Sequence, residues 1–336
     1  MIGGVGEFNL IARLTSNLAS GAGIALGIGD DAAVLAPRPG HHIVATIDGQ
    51  VEGVHFRRAL SPAHAVGYRS IVTNLSDLAA MGADPRWVLV ALTLPADLEI
   101  AWIDEAYRGM GDVLARFGGA IVGGNVSRSG RDIVIDVTAV GEVPAGKALT
   151  RAGARPGDAI VVTGSPGRSA AGLALLLDPS AADIPAPTRQ RLIEAHFYPI
   201  PRIAIGKALG ETAIATSAID ISDGLSADLG HILAASGVGA TLDLDSLPAD
   251  DDVATFASAV GRDAIDLTLT GGEAYELLFT CRPADVGRAL ALIRDAGVSA
   301  HPIGVIDDTN ALTVRGNGGH ARRLGGHDHF GVRGME

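Results

Sequence analysis

Two apolar rhythms alternate along this chain. Residues 133–137 read Ile-Val-Ile-Asp-Val, a period of two that predicts a strand, and the pattern continues to Val140. From Val66 through Ile71, Leu75 and Leu78 the apolar spacing is broadly helical. Ser61-Pro62 offers an N-cap and first-turn pair for that helix, and Gly82 a left-handed stop. Further strands are expected at residues 43–47, which end at Asp48, at 87–94, stopped by Pro95, and at 120–122. Residues 100–117 read as a helix, and His41-His42 as a loop.

The stretch 144–157, rich in Gly, Pro and basic residues, interrupts the pattern and predicts a boundary between domains at 1–145 and 146–336. Strands are expected at 160–163, 214–219, 241–244 and 275–281, helices at 222–236 and 284–296, and a surface loop at 178–187. The class is α/β, in the sense of two α+β halves of similar size.

Composition narrows the field. Hydrophobic residues make up 47% of 336, charged residues 19%, and the net charge is −12. Disorder is excluded, and so is an electrostatic footprint for nucleic acid or an anionic membrane. The single cysteine, Cys281, excludes a disulfide framework and a Cys-rich zinc site, and its flanks predict a buried thiol in a strand. The first nine residues carry no basic segment followed by an apolar one, and no apolar stretch approaches the roughly 20 residues of a membrane span. A soluble cytoplasmic protein is expected.

The aspartates carry the chemistry. Gly27-Ile28-Gly29-Asp30-Asp31 is a glycine turn ending in paired carboxylates, and Asp48 ends a strand. Asp77 lies inside an apolar helix, and Asp220 and Asp223 bracket Ser222 where a strand meets a helix start. Buried carboxylates are costly unless paired, hydrogen-bonded or metal-bound, and their hard oxygens suit magnesium. Plain readings stand beside this one: Asp30-Asp31 as a capping pair, Asp223-Gly224 as a turn. Asp77 resists a plain reading, because Leu75, Leu78 and Ala79 offer it no local partner. Phosphate chemistry in so acidic a chain calls for cations, yet Gly206-Lys207-Ala208 is no Walker A loop. Arg128, Arg151 and Arg155 flank glycines and could grip phosphate.

Longer motifs then carry a resemblance. Gly6-Glu7-Phe8, residues 27–33, Val51-Glu52-Gly53-Val54-His55-Phe56, residues 74–85, 149–158, 218–225, 271–279 and Asp328-His329-Phe330 together resemble the thiamine-monophosphate kinase family. That family belongs to the aminoimidazole-ribonucleotide-synthetase-like superfamily. The resemblance implies a two-domain fold whose N-terminal domain forms a dimeric β-barrel, in a homodimer. It implies phosphorylation of thiamine monophosphate to thiamine diphosphate by in-line transfer from ATP, with several Mg2+ ions. By position it implies Asp30, Asp31, Thr46, Asp48, Asp77, Asp220 and Asp223 as metal ligands. It further implies Gly124, Asn125, Arg151 and Ser222 as ATP contacts, and His55, Glu273 and His327 as substrate contacts.

The chain departs from the family pattern at four places. Asn125 stands where the family has a magnesium-binding aspartate, and Ile47 where it has a threonine. Ala274 replaces an acidic residue, and His327 an aromatic one that would stack on the acceptor. These departures keep two alternatives in view: a kinase of the same fold with another acceptor, and a catalytically silent nucleotide-binding protein.

Overall fold

The computed structural model describes residues 1–16, 18, 21–178 and 184–316, in two compact units that meet at Ala148 and Leu149. Unit 1 contains α1 (Glu7–Thr15), β1 (Ile24–Leu26), β2 (Val34–Leu35), β3 (His41–Val51), α2 (Ala63–Ala80), β4 (Asp84–Pro95), α3 (Ile100–Phe117), β5 (Ala120–Ser129) and β6 (Val134–Pro144). Its main sheet has the order β3-β6-β4-β5 and, among the described residues, is open. Only β4 and β5 run parallel, joined through α3.

Alternation along the strands divides the sheet faces. Ile135, Val137 and Ala139 of β6 and Val88, Val90 and Leu92 of β4 are buried. α2 packs on β3 and β6 and against α3, with Ile71, Leu75 and Leu78 fully buried. The opposite face carries Ile47 at 66% exposure and Leu89 at 41%, which share one row through Thr138. A buried Glu142 bonds Arg38 at the edge of this unit and lies 3.2 Å from Arg86.

Unit 2 contains β7 (Ala159–Thr163), α4 (Arg168–Leu177), α5 (Ala186–Phe197), α6 (Ile203–Thr212), β8 (Ala215–Asp220), α7 (Leu225–Ser236), β9 (Gly239–Asp243), α8 (Asp251–Ala259), α9 (Ala264–Thr270), β10 (Leu277–Cys281), α10 (Val286–Asp295), β11 (Ala300–Asp307) and β12 (Leu312–Arg315). Its sheet order is β12-β9-β11-β7-β10-β8, antiparallel except for β12 on β9. Ile160, Val162 and Leu278 join a core with Leu225, Leu229 and Ile232 of α7. Val161 and Phe279, of opposite parity, are fully buried too, so both faces of the sheet are covered. A second core joins α4, α5, α8 and α9 around Leu192 and Phe256.

Several boundaries differ from the sequence expectation. His41 and His42 open β3 instead of lying in a loop, because pairing with Val143 and Pro144 extends that strand. β5 runs on through the glycines to Ser129, since β4 supplies a partner along its whole length. Pro62, not Ser61, is the N-cap of α2, without a side-chain bond. α5 begins at Ala186, inside the expected loop. Cys281 is fully buried in β10 as expected, and burial pushes its thiol up to about 11. No helix of the described residues is long and apolar enough to cross a membrane.

Candidate active site

In unit 1 the strand places Thr46 and Asp48 on one face and turns Ile47 to the other. Thr46 pairs across the sheet with Ala139, and Asp48 with Val137, both on the helix-covered side. There the Thr46 hydroxyl donates to Asp77 Oδ2 at 2.5 Å. A strand 31 residues earlier thus supplies Asp77 with a partner that the local sequence does not reveal. The Ile47 side chain points away from this contact, into the exposed apolar face. Asp48 is exposed, and Asp30 and Asp31 form an exposed turn in which the Asp31 amide donates to Asp30 Oδ1 at 2.9 Å.

Gly124 and Asn125 sit mid-strand in β5, opposite Val90 and Ala91. A Cβ at Gly124 would collide with the Val90 carbonyl oxygen, so the strands meet there only because the residue is glycine. Asn125 is exposed. His55 lies in a tight turn after β3, where the Val51 amide donates to its Nδ1 at 3.0 Å.

In unit 2 the strand-to-helix turn after β8 differs from the expected helix start. Asp220 ends β8 and is buried, but α7 begins only at Leu225, after Gly224. The amides of Ser222, Asp223 and Gly224 all donate to Asp228 Oδ2, each at 3.1 Å. A carboxylate at the fourth position of the helix thus reaches back to the N-cap amide and to the two amides before it. Burial, reinforced by the charge of Asp223, pushes Asp228 up to about 6 against the pull of those three bonds. With its amide taken, Ser222 offers a ligand its hydroxyl. Among the described residues, Asp223, Asp228 and His231 have ligand atoms within 4.8 Å of one another. Asp228 and His231 escaped the sequence reading, although their spacing of three on a helix was a usable signal.

The segment after α9 packs on this turn. Glu273 and Tyr275 have φ of 58° and 52°, a strained region for residues other than glycine, at roughly 1–3 kcal/mol each. The Glu273 amide donates to the Ser222 carbonyl at 2.7 Å, and the Tyr275 amide to that of Ile221 at 2.9 Å. This geometry delays the expected strand from Tyr275 to Leu277. Ala274 packs against the core beneath α7. Glu276 is buried, and Arg202 grips both its oxygens, with Nε to Oε2 at 2.6 Å, while Thr163 Oγ1 donates at 2.6 Å. Burial works to lower the Arg202 pKa, but the Glu276 bonds and charge overcome it and leave it raised. A Cβ on Gly164 would strike the Glu276 carboxylate.

Arg151 is exposed beside β8, between Thr150, whose carbonyl accepts from the Ala218 amide, and Gly153. His327 lies outside the described residues.

The pair of α/β units, each with carboxylates at one strand or helix end, agrees with a known two-part class. Residues 29–143 match the family described as AIR synthase related protein, N-terminal domain, and residues 155–317 match AIR synthase related protein, C-terminal domain. The chain is 40% identical over 329 residues to the thiamine-monophosphate kinase of Escherichia coli K12, covering 97% of this chain and 98% of that one. The chain belongs to the thiamine-monophosphate kinase family. The crystal structure of the Stenotrophomonas maltophilia K279a thiamine-monophosphate kinase is similar at a TM-score of 0.80 and 37% identity, over 92% of this chain and 95% of that one. AaThiL complexed with AMPPCP and TMP is similar at a TM-score of 0.75 and 33% identity, over 94% and 96%.

Proposed function

We propose that this chain transfers the γ-phosphoryl group of ATP to thiamine monophosphate, giving thiamine diphosphate and ADP. One observation carries this reading: the similarity, along nearly the whole of both chains, to AaThiL complexed with AMPPCP and TMP. An oxygen of the acceptor phosphate attacks the γ-phosphorus while the bond to ADP breaks in line, so no protein nucleophile is needed. Glu273, His55 and His327 would contact the acceptor, and Gly124, Asn125, Arg151 and the Ser222 hydroxyl the nucleotide.

Magnesium fits the donor set. Asp30, Asp31, Thr46, Asp48 and Asp77 in unit 1 and Asp220 and Asp223 in unit 2 offer hard oxygens only. The bond from Thr46 fixes the Asp77 carboxylate in orientation, as second partners of ligands do. When bound, the metal supplies positive charge against the phosphates. Asn125 brings a neutral amide in place of a carboxylate, which weakens the set at one position.

A homodimer joined through the β3-β6-β4-β5 sheets is part of this proposal. The exposed Ile43, Ile47 and Leu89 support it, since so many large apolar side chains on one sheet call for cover. ATP as co-substrate supports a cytoplasmic setting. The test is incubation of the purified protein with ATP, Mg2+ and thiamine monophosphate, followed by mass spectrometry. Thiamine diphosphate is expected, and its absence after prolonged incubation would overturn the proposal.

A further inference from the structure

We infer that His196 is a positioning residue for Glu273, and that the stretch from His196 to Arg202 clamps the turn 273–276 at both of its glutamates. The inference rests on the reading of Glu273 as an acceptor contact.

His196 sits near the end of α5, in the same second core as Leu192, and is only 2% exposed. A buried imidazole is costly unless its nitrogens find partners. Its Nδ1 lies 3.2 Å from Ser169 Oγ and 3.6 Å from Glu273 Oε2. Six residues on, Arg202 grips both oxygens of Glu276. Between them Pro199 and Pro201 restrict the backbone, so the two grips are held at a fixed separation.

What is gripped is a strained turn. Glu273 and Tyr275 hold left-handed conformations that persist only where the surroundings over-determine them. The bonds to Ile221 and Ser222 fix the backbone of this turn. His196 meets the Glu273 carboxylate from the buried side, while the carboxylate keeps 28% exposure on the other. A carboxylate held this way meets its ligand without first surrendering rotamer freedom, which raises affinity for the acceptor and leaves ATP affinity alone.

The test is steady-state kinetics on the full-length protein, varying thiamine monophosphate and ATP separately. His196→Leu is expected to raise the KM for thiamine monophosphate at least roughly tenfold. The KM for ATP should stay within about twofold. His196→Asn keeps an N–H donor near the Nδ1 position and should restore the acceptor KM, whereas His196→Gln, whose donor lies further out, should not. If His196→Leu fails to fold, the Asn and Gln variants decide alone. Equal acceptor KM values for those two, or a change shared by both substrates, would overturn the clamp. Glu273→Gln run in parallel separates the two readings. If it raises the acceptor KM and His196→Leu does not, the clamp alone is wrong. If it leaves the acceptor KM unchanged, the acceptor role of Glu273 falls and the clamp with it.

Discussion

Replacing Arg202 by Met should unfold unit 2 well before unit 1. The substitution keeps an unbranched apolar stem of similar reach but removes the guanidinium, leaving the Glu276 carboxylate with the Thr163 hydroxyl alone. The two side chains are 15% and 8% exposed, so water cannot take over the lost bonds. Breaking a buried pair from one side costs about 3–5 kcal/mol, because the remaining charge stays buried and uncompensated. Glu276→Gln keeps hydrogen-bonding capacity and should cost less, and the double variant Arg202→Met/Glu276→Met should recover most of the loss. The natural probes separate the units: Trp87 and Trp102 are the only tryptophans, and both lie in unit 1. Urea unfolding followed by tryptophan fluorescence should therefore be unchanged in Arg202→Met. Far-UV circular dichroism, which sees both units, should gain an early transition. A loss under about 1 kcal/mol, or a double variant as unstable as the two single losses added, would refute the reasoning.

Three further outcomes follow from unit 1. Thr46→Val should raise the Mg2+ concentration for half-maximal activity by roughly 10–100-fold, since Asp77 loses the bond that orients it; an unchanged magnesium titration would count against the metal reading. Burial alone would raise the Glu142 pKa, but bonds from the Arg38 amide and guanidinium and the charge of Arg86 overcome it and lower it below the ordinary 4.5. The stability this lends is fully present above pH 4.5 and is lost as pH falls through the lowered folded value. Thermal melts by tryptophan fluorescence should show that acid loss, and Glu142→Gln should flatten it. Ile47→Asp places a charge in the middle of the exposed apolar face, and in sedimentation it should dissociate the proposed homodimer to a monomer.

Periodicity alone located much of the fold, because it reports which residues face a core. It placed the helix of residues 100–117, both ends of which match α3, and the middle of the strand expected to end at Asp48, which cross-strand pairing with β6 carries on to Val51. Local pattern could not supply pairs that close over long separations. Asp77 looked partnerless because Thr46 lies on another element, and the ion pair of Glu276 with Arg202 joins residues 74 positions apart. Tyr275 has strand propensity, yet its left-handed backbone is imposed by bonds to Ile221. α8 and α9 were passed over although a signal existed: Asp250 and Asp263 cap them by accepting from the amides of Val253 and Ile265. Ser222 was read into a helix because Ser and Asp commonly begin one, but Asp228 fastens that turn outside it.

Three neighbouring amides at the head of a helix make a seat that nature commonly fills with a phosphate or sulfate. Here the seat is already taken by a tethered anion of the chain's own, at no cost in diffusion and at a local concentration no solute can match. Free phosphate and sulfate therefore find these three amides already filled. Engineering runs the other way: Asp228→Ser would vacate the seat and leave the three amides open to oxyanions.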